Sequence, residues 1–240
     1  MDFKKYFEIG KGPSPVILSC PHGGYKKPSI LDDKPNGASI SDTNTFPIAK
    51  KIIQMLQSNN VHIKSILSKI HRSKMDLNRP PYSDSAYSQS LPSINNGKKL
   101  FQFYHSILQN YAKKCVYEHD RCLFLDLHGF TKPSSEYPDL ILGTVFGKSL
   151  HIYNGPFDSE PSHYWGHSHL IKNLGPEFLL DDGMGVTNFN LGYSGGYITY
   201  QFLKSPKVNA IQIEIAKHIR INRKKVLNTK FCLPLNIFKY

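Results

Sequence analysis

Three chemically active side chains in this sequence sit at or inside the end of an apolar run. His22 follows Val16-Ile17-Leu18-Ser19-Cys20 within Cys20-Pro21-His22-Gly23-Gly24. His128 ends the run that starts at Cys122, in Asp126-Leu127-His128-Gly129. Glu214 interrupts Ile211-Gln212-Ile213-Glu214-Ile215. Open α/β sheets bind ligands beyond the carboxyl ends of their strands, so polar groups there are placed for chemistry. Asp126 and His128 alternate on one strand face, and a carboxylate beside an imidazole can fix its tautomer at a metal. Two imidazoles, each followed by glycine, can begin an open metal site, although either one alone also reads as a structural histidine. Ile211, Ile213 and Ile215 share one face of their strand and leave Gln212 and Glu214 on the other. A carboxylate on a buried strand is costly unless it is paired, hydrated or close to a metal. A half-exposed edge strand with a polar outer face satisfies the same alternation.

The segment His71-Arg72-Ser73-Lys74-Met75-Asp76-Leu77-Asn78-Arg79-Pro80 places two guanidinium groups just after another strand-like run. Arginine's planar fork suits carboxylate recognition, and Asp76 can hold one fork in place. An internal Arg–Asp pair stitching the loop is the other reading. A second histidine group, His163, His167 and His169, contains an i, i+4 pair that can bind metal on a helix. Gly166 weakens that helix and no acidic partner is fixed nearby, so a solvated or pocket-lining face is expected. Cys20, Cys115, Cys122 and Cys232 form no CxxC pair and no secreted-type framework, and are read as small buried hydrophobes.

The elements that must position these groups alternate between strand-like and helix-like patterns. Strands are expected at Val16–Cys20, Val61–Ile70, Cys122–Leu127, Leu140–Thr144, Gly185–Phe189 and Asn209–Ile215. Helices are expected near Pro47–Gln57, capped by Thr45, over Lys98–Glu118 and near His163–Asn173. Residues 80–97, with Pro80-Pro81 and Asn95-Asn96-Gly97, read as a long polar loop, and 154–162 as another. Apolar strands separated by helices predict a single α/β domain over residues 1–240. Its central sheet is mostly parallel or mixed, with helices on both faces.

Composition excludes several classes. The 240 residues are 40% hydrophobic and 20% charged, enough to fill a core and too apolar for wholesale disorder. No apolar run reaches the ~20 residues that span a bilayer, so no membrane association is expected. Met1-Asp2-Phe3-Lys4-Lys5 has no apolar segment of the secretory kind, and a reducing, cytoplasmic setting is the expectation. The net charge of +12 invites nucleic acid as a partner. Its basic residues are dispersed, however, with the longest cluster at Arg220, Arg223, Lys224 and Lys225. A solvated surface, or a field that steers a small anion, accounts for them.

Taken in order, several motifs resemble the N-formylglutamate amidohydrolase family. They are His22-Gly23-Gly24, Asp42 with Thr45, Arg72…Asp76-Leu77-Asn78-Arg79, Asp126-Leu127-His128-Gly129, Gly195-Gly196-Tyr197-Ile198 and Gln212-Ile213-Glu214-Ile215. The resemblance runs from about residue 13 to 220. It implies a phosphorylase/hydrolase-like fold related to zinc carboxypeptidases and hydrolysis of a small acidic N-acyl amino acid. It further implies Zn²⁺ on His22 and His128, Glu214 as general base, and Arg72, Asn78 and Arg79 gripping substrate carboxylates. Arg72 is also expected beside the oxyanion, and Gly195-Gly196 are expected to let backbone approach the substrate. Zinc carboxypeptidases carry a ligand glutamate three residues after the first histidine, where this chain has Tyr25, so Asp42 takes that place. The stretch Ala216-Lys217-His218-Ile219-Arg220 departs from the family and leaves the substrate open. A basic nucleic-acid binder, or an inactive interaction protein retaining the fold, are the competing readings.

Overall fold

The computed structural model describes residues 1–152 and 164–222. Seven strands make one mixed sheet: β1 (Phe7–Gly10), β2 (Val16–Cys20), β3 (Lys64–Ser68), β4 (Cys122–Phe130), β5 (Leu140–Gly143), β6 (Leu180–Asp181) and β7 (Val208–Ala216), in the order β1-β3-β2-β4-β7-β5-β6. The central pairs β3·β2, β2·β4 and β4·β7 are parallel, as is β5·β6. The pairs β1·β3 and β5·β7 are antiparallel. The helices are α1 (Thr45–Ser58), α2 (Ser93–His119), α3 (His167–Leu174), α4 (Tyr197–Tyr200) and α5 (Lys217–Ile221).

Strands buried on both faces need a hydrophobic layer on each side, and alternation supplies both. Leu123, Leu125 and Leu127 of β4 and Ile211, Ile213 and Ile215 of β7 pack with Ile48, Ile52 and Leu56 of α1 and with Leu170 and Leu174 of α3. Phe124 and Ala210 face the opposite way, onto Leu100, Phe101, Tyr104 and Leu108 of α2. Asp126, His128, Gln212 and Glu214 have the same strand parity as Phe124 and Ala210. They leave the sheet on the α2 side, just past where its apolar packing ends.

Several sequence expectations are corrected. Thr45 does not cap α1: Asn44 occupies that position in the left-handed region (φ 66°), and Thr45 Oγ1 donates to the Asp42 carbonyl at 2.8 Å. The polar loop ends at residue 92 rather than 97, because Asn95-Asn96-Gly97 is the first turn of α2. A Cβ at Gly97 would stand 2.5 Å from the Tyr87 ring. Residues 185–189 form no strand. Thr187 and Asn190 instead turn their side chains onto Asp181 (2.7 and 3.0 Å), and such local bonds displace a sheet ladder. β4 runs on through His128 to Phe130. β1 was not anticipated. His163, the 154–162 loop, Cys232 and Arg223, Lys224 and Lys225 lie outside the described residues. Among the described residues, no helix is long and apolar enough to cross a membrane.

Candidate metal centre

Register builds the site. Parallel pairing of β4 with β7 sets Asp126 beside Gln212 and His128 beside Glu214. His22 arrives from the end of β2, which pairs with β4 on its other side. The turn after it is tight. A Cβ at Gly23 would meet the Phe46 amide nitrogen at 2.4 Å, and one at Gly24 the Ile70 carbonyl at 2.2 Å. These glycines therefore admit neighbouring backbone rather than keep an approach open. Asp42 returns to the same place through its amide, which donates to the His22 carbonyl at 2.9 Å.

The Nδ1 atoms of His22 and His128 lie 3.1 Å apart, and Asp42 Oδ2 lies 3.6 and 3.7 Å from them. Among the described residues, His22, Asp42 and His128 form the His/Cys/Asp/Glu group whose ligand atoms converge within 4.8 Å. Both imidazoles are tied at the far side of the ring. His22 Nε2 meets Asp76 Oδ1 at 2.6 Å, and His128 Nε2 meets Asp126 Oδ2 at 2.7 Å. A carboxylate on Nε2 keeps a ring proton there, so that loss of the second ring proton on metal binding would free Nδ1 as the ligand atom. Two such nitrogens and a carboxylate oxygen, all buried and convergent, could hold a cation between them.

The spacing fits zinc. Four-coordinate zinc with bonds near 2.0–2.1 Å sets ligand atoms roughly 3.3 Å apart, close to the three separations seen here. Burial opposes ionisation of Asp42, yet hydrogen bonds from His128 and His22 hold its carboxyl well below the usual range. Asp76 is likewise held low, against burial, by His22 and Arg72. Burial works against a charged His128, but Asp126 beside it raises its pKa well above the ordinary value.

Glu214 is buried on a central strand, so the edge-strand alternative is excluded. Its Oε1 accepts from Gln212 Nε2 at 3.0 Å, while its buried Oε2 has no protein partner. Burial pushes its pKa up to about 7, moderated by His128. The internal pairing expected of the 71–80 segment is present. Arg72 Nε donates to Asp76 Oδ2 (2.9 Å) and its Nη1 to Asp42 Oδ1 (3.2 Å), so the guanidinium is stitched in place at the site. Arg79 is 53% exposed, and its nearest carboxylate, Asp76, stands 3.9 Å away. Asn78 donates to Gln212 Oε1 (3.1 Å) and accepts from the Ile198 amide (2.8 Å). Gly195 takes a positive φ of 140°, which side chains rarely adopt. A Cβ on Gly196 would stand 2.0 Å from Asn78 Nδ2. These residues line a cavity of about 150 Å³ together with Gly192 and Tyr193.

Some contributors escaped the sequence reading. The sequence pairs Asp76 with an arginine and does not reveal its bond to His22, nor the bond from Gln212 to Glu214 or the position of Tyr193 in the cavity wall. Other groups lie elsewhere. His167 is buried, not solvated, and donates from Nε2 to the Asp182 carbonyl at 2.7 Å. Tyr25 is exposed. Arg220, read as part of a basic surface cluster, is buried under the site. Cys20, Cys115 and Cys122 are buried free thiols, as expected.

No protein-family model and no curated protein matches the sequence. Solved structures do match the fold. The N-formylglutamate amidohydrolase from Ralstonia eutropha superposes with a TM-score of 0.66 at 15% identity, over 97% of this chain and 95% of that one. A gene product from Agrobacterium tumefaciens superposes with a TM-score of 0.61 at 16% identity, over 92% of this chain and 87% of that one. This chain therefore carries, along nearly its whole length, the α/β fold of the Ralstonia eutropha N-formylglutamate amidohydrolase, the fold that its sequence motifs led us to expect.

Proposed function

We propose that residues 1–240 form one zinc-dependent amidohydrolase domain that cleaves the amide bond of a small N-acyl amino acid, N-formylglutamate being the simplest case. One observation carries this reading: Nδ1 of His22, Nδ1 of His128 and Oδ2 of Asp42 meet at zinc spacing from three distant segments. Three protein ligands leave a coordination position open, the arrangement of catalytic rather than structural zinc.

Bound by His22, Asp42 and His128, zinc would supply a Lewis acid for the amide carbonyl and lower the pKa of water to about 7. The rest falls to the chain's own groups. Glu214, with Oε1 held by Gln212, keeps Oε2 to take a proton from the attacking water and deliver it to the departing amine as the C–N bond breaks. Arg72, anchored between Asp42 and Asp76, presents a fixed positive charge to the oxygen that gains electron density. Arg79 at the mouth binds the substrate carboxylate, and Asn78 with Gly195-Gly196 forms the wall against which the acyl amide lies. A cavity this small admits a small acyl group.

Metal analysis of the purified protein, combined with a panel of N-formyl, N-acetyl and N-succinyl amino acids, tests the reading. About one zinc per chain and turnover of an acidic member are expected. Turnover that survives complete metal removal would reject the zinc role, and zinc-loaded protein inert on the whole panel would reject the substrate class.

A further inference from the structure

Arg220 lies in the short helix α5, which follows β7, and is 4% exposed. Among the described residues, its guanidinium donates to three backbone carbonyls. Nε reaches Ile215 O at 2.9 Å, Nη2 reaches Phe130 O at 3.0 Å, and Nη1 reaches Thr43 O. Each carbonyl lies within two residues of a side chain of the site. Thr43 follows Asp42, Ile215 follows Glu214, and Phe130 comes two after His128. Asn44, in turn, donates from Nδ2 to the Arg220 carbonyl at 3.0 Å.

The neighbouring backbone is shaped to receive this group. A Cβ on Gly129 would stand 2.4 Å from Arg220 Cζ, so the residue after His128 must lack a side chain for the guanidinium to fit. The Gly129 amide then donates to Asp42 Oδ2 at 3.0 Å, the oxygen that faces both imidazoles. Burying a guanidinium among carbonyls is costly, and a rigid fork that meets three separate chain segments fixes their relative positions in a way that a flexible ammonium cannot.

We propose that Arg220 is the positioning residue of the metal centre, setting the separation of Asp42, His128 and Glu214 by clasping the backbone beside each. It touches neither the metal nor the substrate. The inference rests on the zinc reading given above, and its test separates the two.

The experiment compares wild-type protein with Arg220→Lys and Gly129→Ala. The first keeps a charge but loses the fork; the second keeps the arginine but fills its seat. Zinc affinity is measured by chelator competition, and the Co²⁺-substituted proteins by visible absorption, with circular dichroism and melting as checks on folding. Folded variants are expected to bind zinc roughly tenfold or more weakly, the scale of losing an outer partner of a metal ligand. Their Co²⁺ bands are expected to shift in position or intensity, which a purely structural role would not produce. Zinc affinity within twofold of wild type, with an unchanged Co²⁺ spectrum, in whichever variant folds would overturn the positioning role while leaving the zinc reading standing. Wild-type protein that binds neither ion would overturn both. Should both variants fail to fold, Asn44→Gly, which tolerates the left-handed backbone at the start of α1 and frees the Arg220 carbonyl, is expected to move the Co²⁺ bands in the same direction, and an unchanged spectrum there overturns the role.

Discussion

His128 and Glu214 are register partners on the adjacent parallel strands β4 and β7, so an imidazole and a carboxylate leave the sheet side by side on the same face. With one oxygen of Glu214 tied to Gln212 and the other free, the carboxylate is oriented before any substrate arrives. Glu214→Gln preserves shape and removes the proton acceptor. Zinc content is expected to hold, while kcat falls by about 10²–10⁴, the usual worth of general base catalysis. The same residue sets a pH dependence. The base must be ionised to work, and burial has raised its pKa to about 7 in the metal-free protein. A bound dication favours the carboxylate, so kcat/KM is expected to rise with pH through an ionisation at or below about 7, and that limb should vanish in Glu214→Gln. A rising limb that persists unchanged in Glu214→Gln would remove Glu214 as the base.

Much of this centre is legible in the sequence because strands covered on both faces read as unbroken apolar runs. Val16–Cys20, Cys122–Leu127 and Asn209–Ile215 announce themselves in this way, and a polar residue at the end of such a run has few structural excuses. The rest depends on contacts that no spacing encodes. The approach of Asp76 to His22 spans 54 positions and is set by the course of the 71–79 turn. Arg220 looks like one more surface cation until β4, β7 and the Asp42 turn close over it. β1, Phe7-Glu8-Ile9-Gly10, is a four-residue edge strand carrying a charge, too short and too mixed to show a period. His167, the first residue of α3 after Gly166, is buried, whereas its polar surroundings in sequence point to a solvated or pocket-lining face.

The two carboxylates behind the imidazoles give a paired prediction. Asp126→Asn and Asp76→Asn each weaken the hold on one ring, and zinc affinity is expected to fall roughly 10–100-fold in either. Asp76 also anchors Arg72, so its variant should lose kcat even when saturated with zinc, whereas Asp126→Asn at saturating zinc should recover most of its turnover. Equal kinetics in the two zinc-saturated variants would separate Arg72 from the chemistry. Asp76 also bears on acid stability. Its folded pKa is depressed below the unfolded value, so it contributes stability above about pH 4, which is lost as pH falls. Asp76→Asn is therefore expected to flatten the acid limb of a melting-temperature profile.

Arg79 differs from Arg72 in being available. With half its side chain exposed and only a long contact to Asp76, it can turn to a ligand without breaking a strong bond. Arg79→Ala is expected to raise KM for substrates with an acidic side chain or terminus by roughly 10–100-fold, the equivalent of one charge-assisted hydrogen bond, with a smaller change in kcat. Comparing an N-acyl amino acid with its amide in both proteins isolates the carboxylate contact. If the variant discriminates acid from amide as well as the wild type does, another group holds the carboxylate.

Gly196 tests whether the chain of amides reaching Glu214 matters. The Ile198 amide donates to Asn78 Oδ1, Asn78 Nδ2 to Gln212 Oε1, and Gln212 Nε2 to Glu214 Oε1, with Gly196 packed directly against the Asn78 amide. A methyl group at residue 196 cannot be accommodated unless Asn78 moves. Asn78 cannot move without releasing Gln212, and Gln212 orients the base. Gly196→Ala is therefore expected to lower kcat by at least tenfold with a smaller effect on zinc affinity, because Asn78 Nδ2 reaches the ligand His128 only through a long 3.5 Å contact. Gln212→Ala should reproduce the loss, and combining the two substitutions should cost little more than either alone, as expected for residues acting through one path. Fully additive losses in the double variant would show that Gly196 acts on the substrate wall and not through Glu214.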